Sequence, residues 1–188
     1  MSLQRLGIDR IDLYQLHSID PAVPLAEQIG ELVRLRQAGK IRHIGLSGQP
    51  GVTLEALARV REHTEIAAIE NLYHVADRTD EPVLRRAQHD ALAFICWFPL
   101  GHGSLTGSGS PLQPLARRFG STAAQLALAW LLHRSPATIP IPGTTSTDHL
   151  EANLRTAEVH LSADDLAVIT DAVDAARLPL FRPTLQAP

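Results

Sequence analysis

The sequence predicts a parallel α/β fold. Three observations point there: five short apolar runs, a helical pattern after each of them, and their regular alternation along 188 residues. The runs are almost continuously apolar, which suits strands covered on both faces rather than one. No glycine-rich turn of the dinucleotide-binding type follows any of them. Periodicity alone therefore leaves two architectures open, a doubly wound sheet and an eight-stranded barrel.

The elements are predicted in order as follows. The first strand is Ile11 to His17. A helix from Pro24 to Ala38 follows, with proline in its first turn, apolar residues at Leu25, Ile29, Leu32 and Val33, and a stop at Gly39. The second strand is His43 to Ser47, and Thr53 caps a helix that runs to Arg61. The third strand, Ala67 to Tyr73, precedes a helix from Glu81 to His89. The fourth, Ala93 to Pro99, is followed by an irregular stretch from Leu100 to Gly120, rich in glycine and proline; irregular segments of this length tend to be functional. Thr122 and Gln125 have the spacing of a capping box for a helix to His133. The fifth strand is Thr138 to Gly143. A last helix, Ser162 to Ala176, carries a second capping box in Ser162 and Asp165, and Leu161 and Leu166 are placed to staple its entry.

Composition removes several classes of function. Apolar residues make up 45% and charged residues 20%, the balance of a folded globular chain. The net charge is −3 and the basic residues are scattered, so nothing recruits nucleic acid. The longest strongly apolar stretch, Ala123 to Leu132, falls far short of the ~20 residues needed to cross a bilayer. No apolar signal core follows Met1, and the single cysteine, Cys96, forms no internal disulfide. These features lead us to expect a cytoplasmic protein. The nine histidines include no pair spaced four apart beside a glutamate, so no metal site is expected.

Four motifs go further than periodicity. They are Ile11-Asp12-Leu13-Tyr14-Gln15-Leu16-His17, Gly39-Lys40-Ile41-Arg42-His43-Ile44-Gly45-Leu46-Ser47, Trp97-Phe98-Pro99-Leu100-Gly101, and Ile141-Pro142-Gly143-Thr144-Thr145 continuing to Leu150-Glu151-Ala152-Asn153-Leu154. In this order and at this spacing the chain resembles the aldo-keto reductase family, from its fourth barrel strand onward. The resemblance implies a partial (β/α)8 barrel: five of eight parallel strands with outer helices, a single domain over residues 1–188 that begins after the family's first three strands. Barrel enzymes carry their active residues at the carboxyl ends of strands, and the matched positions lie there.

The resemblance implies a role for each matched residue. His17 becomes the active-site histidine that orients a substrate carbonyl, chemistry that imidazole supports near neutral pH. Ser47 becomes a contact to the nicotinamide carboxamide, although Gly48 stands where the family has an asparagine. Glu70 replaces a family glutamine; its carboxylate can accept from an amide but cannot donate to one. Trp97 becomes the ring on which nicotinamide stacks. Phe98, Leu100 and His102 line the pyrophosphate path. Gly143, Thr144, Thr145, His149 and Asn153 form the adenosine-phosphate end, where a helix N-terminus favours an anion. The family often places lysine or arginine there, and this chain does not. NADP(H) is the expected cofactor, with NAD(H) left open.

Two functions remain at this point. One is an oxidoreductase that reduces small aldehydes or ketones by hydride transfer. The other is a non-catalytic cofactor-binding or redox-sensing module. The family's catalytic aspartate, tyrosine and lysine come from its first three strands and match no residue here, so the 188-residue chain is expected to be inactive. An incomplete barrel also leaves open sheet edges, through which the chain is expected to self-associate.

Overall fold

A computed structural model of the chain describes residues 2–48 and 51–180. Its five strands are β1 (Ile11–Leu16), β2 (Ile41–Ser47), β3 (Ala68–Leu72), β4 (Ala93–Trp97) and β5 (Thr138–Pro140). They form one sheet in chain order, and every neighbouring pair is parallel. The helices are α1 (Ser2–Leu6), α2 (Leu25–Gln37), α3 (Leu54–Arg61), α4 (Glu81–His89), α5 (Leu112–Arg118), α6 (Ala123–Arg134), α7 (Thr147–Leu154) and α8 (Ala163–Ala176). The architecture is thus α/β with five parallel strands and flanking helices, part of a barrel.

Alternation along the strands sorts side chains onto two faces. Ile44 and Leu46 on β2, Ile69 on β3, and Phe94 and Cys96 on β4 are buried in the cluster shared with the helices. Full burial of a side chain such as Phe94 contributes about 1.5–3 kcal/mol. Tyr73, just past β3, stacks on Trp130 of α6 and meets Phe94 edge to face, with centroids 6.1 and 5.7 Å apart. Cys96 is a free thiol of this core, and burial pushes its pKa up to about 12, so it is inert there. The opposite face carries Gln15, Gly45, Ser47, Glu70, Ile95 and Trp97 in successive strands.

The helix caps form as the sequence predicts. The Thr53 side chain accepts from Ala56 N, and the boxes Thr122–Gln125 and Ser162–Asp165 are both reciprocal. The strand ends differ. β1 stops at Leu16, which leaves His17 beyond the sheet, and β4 stops at Trp97 because Phe98 turns the chain at φ +49°. β5 ends at Pro140 instead of Gly143, although Ile141 N still donates to Cys96 O at 3.2 Å. The stretch from Leu100 to Gly120 is not irregular throughout, since it contains α5 with Leu112 and Ala116 buried.

Candidate functional site

Register places the sequence-predicted residues of the first four strands on one face, at one end. Ser47 is the partner of Glu70 across β2 and β3. Trp97 pairs with Leu72, two residues beyond Glu70 on the same face. His17 follows Gln15 by two positions and is exposed at the mouth of that face. Phe94 and Cys96 point into the helix layer, so Trp97, with the opposite parity, does not. Ser47 is buried, while Glu70 and Trp97 are half-buried.

A residue to which the sequence reading gave no role completes this cluster. Gln15 Nε2 donates to Glu70 Oε2 at 2.6 Å. The two side chains stand on β1 and β3, roughly 10 Å apart by strand spacing, with β2 between them. Gln15 crosses over its register partner Gly45, where a Cβ would lie 2.9 Å from Gln15 Cγ and 3.1 Å from Oε1. Glycine is needed there for the crossing. Gln15 Oε1 is meanwhile buried without a hydrogen-bond partner. Such a group typically costs about 1–3 kcal/mol. The period of two that links Gln15 to His17 was the signal in the sequence that could have found it.

Past β4 the backbone coils tightly. Phe98, Gly101, His102 and Gly103 all have positive φ, at +49, +58, +53 and +91°. For phenylalanine and histidine this region is uncommon and costs on the order of 1–3 kcal/mol, and such strain clusters at functional segments. A Cβ at Gly101 would sit 2.7 Å from Ser104 Oγ. Ser104 Oγ donates to Gly101 O at 2.7 Å and fixes the turn. The Phe98 ring lies between Trp97 and His102, with centroids 5.0 and 5.1 Å away.

Two adjoining clefts continue from this turn. The first, about 350 Å³, is lined by Phe98, Leu100, His102 and Gly143 among others. The second, about 490 Å³, is lined by Leu100, Gly143, Thr144, His149 and Asn153, and shares Leu100, Thr106 and Gly143 with the first. Gln113, Ser121 and Thr122 also line the second and were not predicted as site residues, Thr122 being read only as a helix cap. The cleft ends at α7, where the Ser146 side chain accepts from His149 N at 3.3 Å. Thr145 is exposed and lines neither cleft. Among the described residues no lysine or arginine lines the second cleft.

A further cleft, about 650 Å³, lies elsewhere, among α4, α6 and α8 on the helix side. Its basic groups are all paired: Arg78 binds Asp174 beside the cleft with two bonds of 2.8 Å, and Arg85 and Arg134 both bind Glu81. It has the character of a structural ion-pair network and not of a reaction site. Among the described residues no group of three or more His, Cys, Asp or Glu side chains is placed to hold a metal, and no helix is long and apolar enough to cross a membrane.

Known proteins resemble the chain in sequence and in fold. Residues 1–174 match the model of the Aldo/keto reductase family. The protein named Uncharacterized oxidoreductase C215.11c of Schizosaccharomyces pombe is 38% identical over 171 residues, which is 91% of this chain and 55% of that one. Pyridoxine 4-dehydrogenase of Escherichia coli is 36% identical over 174 residues, 89% of this chain and 59% of its own length. An aldo-keto reductase from Klebsiella pneumoniae, solved in complex with NADPH, superposes with a TM-score of 0.81 at 29% identity, covering all of this chain and 66% of its own. The chain spans somewhat over half the length of the curated relatives it matches.

Proposed function

The chain belongs to the aldo/keto reductase family, and from that premise we propose that it holds a nicotinamide cofactor along the strand-end face from Ser47 to Asn153. One observation carries this reading. The residues Phe98, Leu100, His102, Gly143, Thr144, His149 and Asn153 line two adjoining clefts that run from the end of β4 to the start of α7. In this reading β1 to β5 are the fourth to eighth strands of the barrel.

Each group has work suited to its chemistry. The Ser47 hydroxyl can donate to the carboxamide oxygen, and the Glu70 carboxylate can accept from the carboxamide N–H. The Trp97 ring supplies a flat apolar wall for the nicotinamide. The strained turn at 98–103 and the cleft beyond it take the pyrophosphate and adenosine. Thr144, His149 and the α7 N-terminus meet the outer phosphate. When bound, the cofactor supplies hydride to a small aldehyde or ketone. His17, exposed at the mouth of the face, hydrogen-bonds the carbonyl oxygen and orients it.

A second reading, binding without turnover, is favoured by where the tyrosines lie. The chain has two. Tyr73 is fully buried on the helix side and donates to Glu81; Tyr14 packs against the same cluster. Neither faces the clefts as a general acid, and a positioned acid typically contributes about 10²–10⁴-fold. We therefore expect the 188-residue chain to bind NADPH and to show no carbonyl reduction. With no lysine or arginine lining the second cleft among the described residues, NADPH and NADH are expected to bind within about tenfold of each other, since a single charge-assisted hydrogen bond is worth roughly that factor. Fluorescence titration with both cofactors, beside NADPH oxidation with a panel of aldehydes, tests the reading. Turnover abolished by His17→Ala would overturn the non-catalytic form, and absence of binding would overturn both.

A further inference from the structure

We propose that Gln15 is a positioning residue for recognition of the cofactor carboxamide, acting through Glu70; the inference rests on the cofactor reading above. Four observations converge on it. Gln15 reaches across a whole strand to give Glu70 Oε2 a 2.6 Å hydrogen bond. Gly45 keeps the crossing open, because a Cβ there would lie 2.9 Å from Gln15 Cγ. Gln15 leaves its own Oε1 buried and unpartnered to make the contact. Ser47, the register partner of Glu70, stands beside it.

The amide orientation follows from the chemistry of the pair. A carboxylate only accepts, so the NH2 of Gln15 must face it, and the reverse orientation would oppose two acceptors. Held in this way, Glu70 has one oxygen bound by Gln15 and one that carries no hydrogen bond among the described residues. The free oxygen and the Ser47 hydroxyl then offer one acceptor and one donor side by side. That pair complements a primary carboxamide, which has N–H donors and one carbonyl acceptor. It does not complement an acetyl group, which keeps the carbonyl and loses the N–H. Gln15 touches no cofactor atom here; it fixes the rotamer of the residue that does. A glutamate free to swing would spend part of its time directed at solvent, and its preference for the amide would fall.

The test compares two ligands on the full 188-residue chain: NADPH, and its reduced 3-acetylpyridine analogue, in which methyl replaces the carboxamide NH2. Fluorescence titration gives both dissociation constants. The unaltered chain is expected to favour NADPH on the order of tenfold, the contribution of one hydrogen bond to a charged acceptor. Gln15→Leu keeps the side-chain volume and removes the amide. It should bring the preference to within about threefold, with affinity for the analogue unchanged. Glu70→Ala should do the same, and the double variant should lose no more than either alone, because both act on one contact. Gly45→Ala, which obstructs the crossing, should reproduce the Gln15→Leu result and serves as the second variant if that one does not fold. Equal loss of both ligands in Gln15→Leu marks a merely structural role and overturns the proposal. Retention of the preference in Gln15→Leu but not in Glu70→Ala overturns the role of Gln15 and leaves Glu70 as the contact. Retention in both removes Glu70 from the carboxamide, and no binding of either ligand by the unaltered chain sinks the cofactor reading itself.

Discussion

Glu81 shows how much one side chain can organise. It accepts from Tyr73 and Arg134, and from Arg85 at 3.0 Å, tying α4 to the end of β3 and to α6. Burial pushes its carboxyl pKa up, yet hydrogen bonds from Tyr73 and Arg85 and the Arg134 charge outweigh burial and hold it below the ordinary value of 4.5. A carboxyl lowered by folding stabilises the fold above its ordinary pKa, and that contribution disappears as pH falls through the lowered value. Glu81→Gln is therefore expected to cost about 1–2 kcal/mol at pH 7, discounted for partial solvent exposure, and much less near pH 3. Urea midpoints at the two pH values measure it; an equal loss at both would mean that the charge contributes nothing. Tyr73 moves the other way, its pKa raised by burial and then by Glu81, so it stays protonated. Only the Glu81–Arg85 pair, four apart on one helix, has a spacing the sequence shows; Arg134 lies 53 residues from Glu81 and no local pattern joins them. His17, Ser47 and Trp97 were legible as positions, since each sits at a strand end within a recognisable motif, and Glu70 was legible only as the residue in place of a family glutamine. Gln15 was not: the period of two from His17 puts it on the same face, but nothing local names a partner two strands away.

Helices were easier to read than strands, for a local reason. A helix start is written in a few adjacent residues, and Thr53, Thr122 and Ser162 each cap as their spacing foretold. A strand end is set by neighbours and by backbone turns such as the left-handed Phe98, which apolar content does not reveal. α5 escaped because Pro114 sits inside it, in a stretch read as irregular. Proline is tolerated there, since it falls in the first turn where the N–H has no intrahelical partner. The apolar pattern of Leu112, Leu115, Ala116 and Phe119 was present in that stretch and has helical spacing. The α6 capping box has a further role. Gln125 also donates from Nε2 to Ala152 O of α7 at 3.0 Å, so it connects the core helix to the one beside the second cleft. Thr122→Ala is expected to lower stability by about 1 kcal/mol. Thermal unfolding followed by circular dichroism checks this, and an unchanged midpoint would show that the cap is dispensable.

At the scale of the whole molecule the sheet has two ends. β1 and β5 each pair on one side only among the described residues, and Ile139 and Ile141 on or beside β5 are 48% and 46% exposed. Strand edges with free backbone groups and apolar neighbours invite pairing with another chain. Self-association that grows with concentration is expected in analytical ultracentrifugation, and Ile139→Lys should reduce it. A monomer at all concentrations would show the edges to be protected. The order of the strands has a different consequence, for the way the chain assembles. Ile11 pairs with Ile41 and Ala68 with Ala93, each closed over one intervening helix, whereas Phe94 pairs with Thr138 over α5 and α6 together. Closing a longer loop costs more entropy, and β5 recovers it through only three register pairs. In native-state hydrogen exchange the amide of Ile141, bonded to Cys96 O, should open at lower free energy than the amides of β3, and equal protection would mean one cooperative unit. On that account the strand that leads to the second cleft is the last to dock and the first to leave.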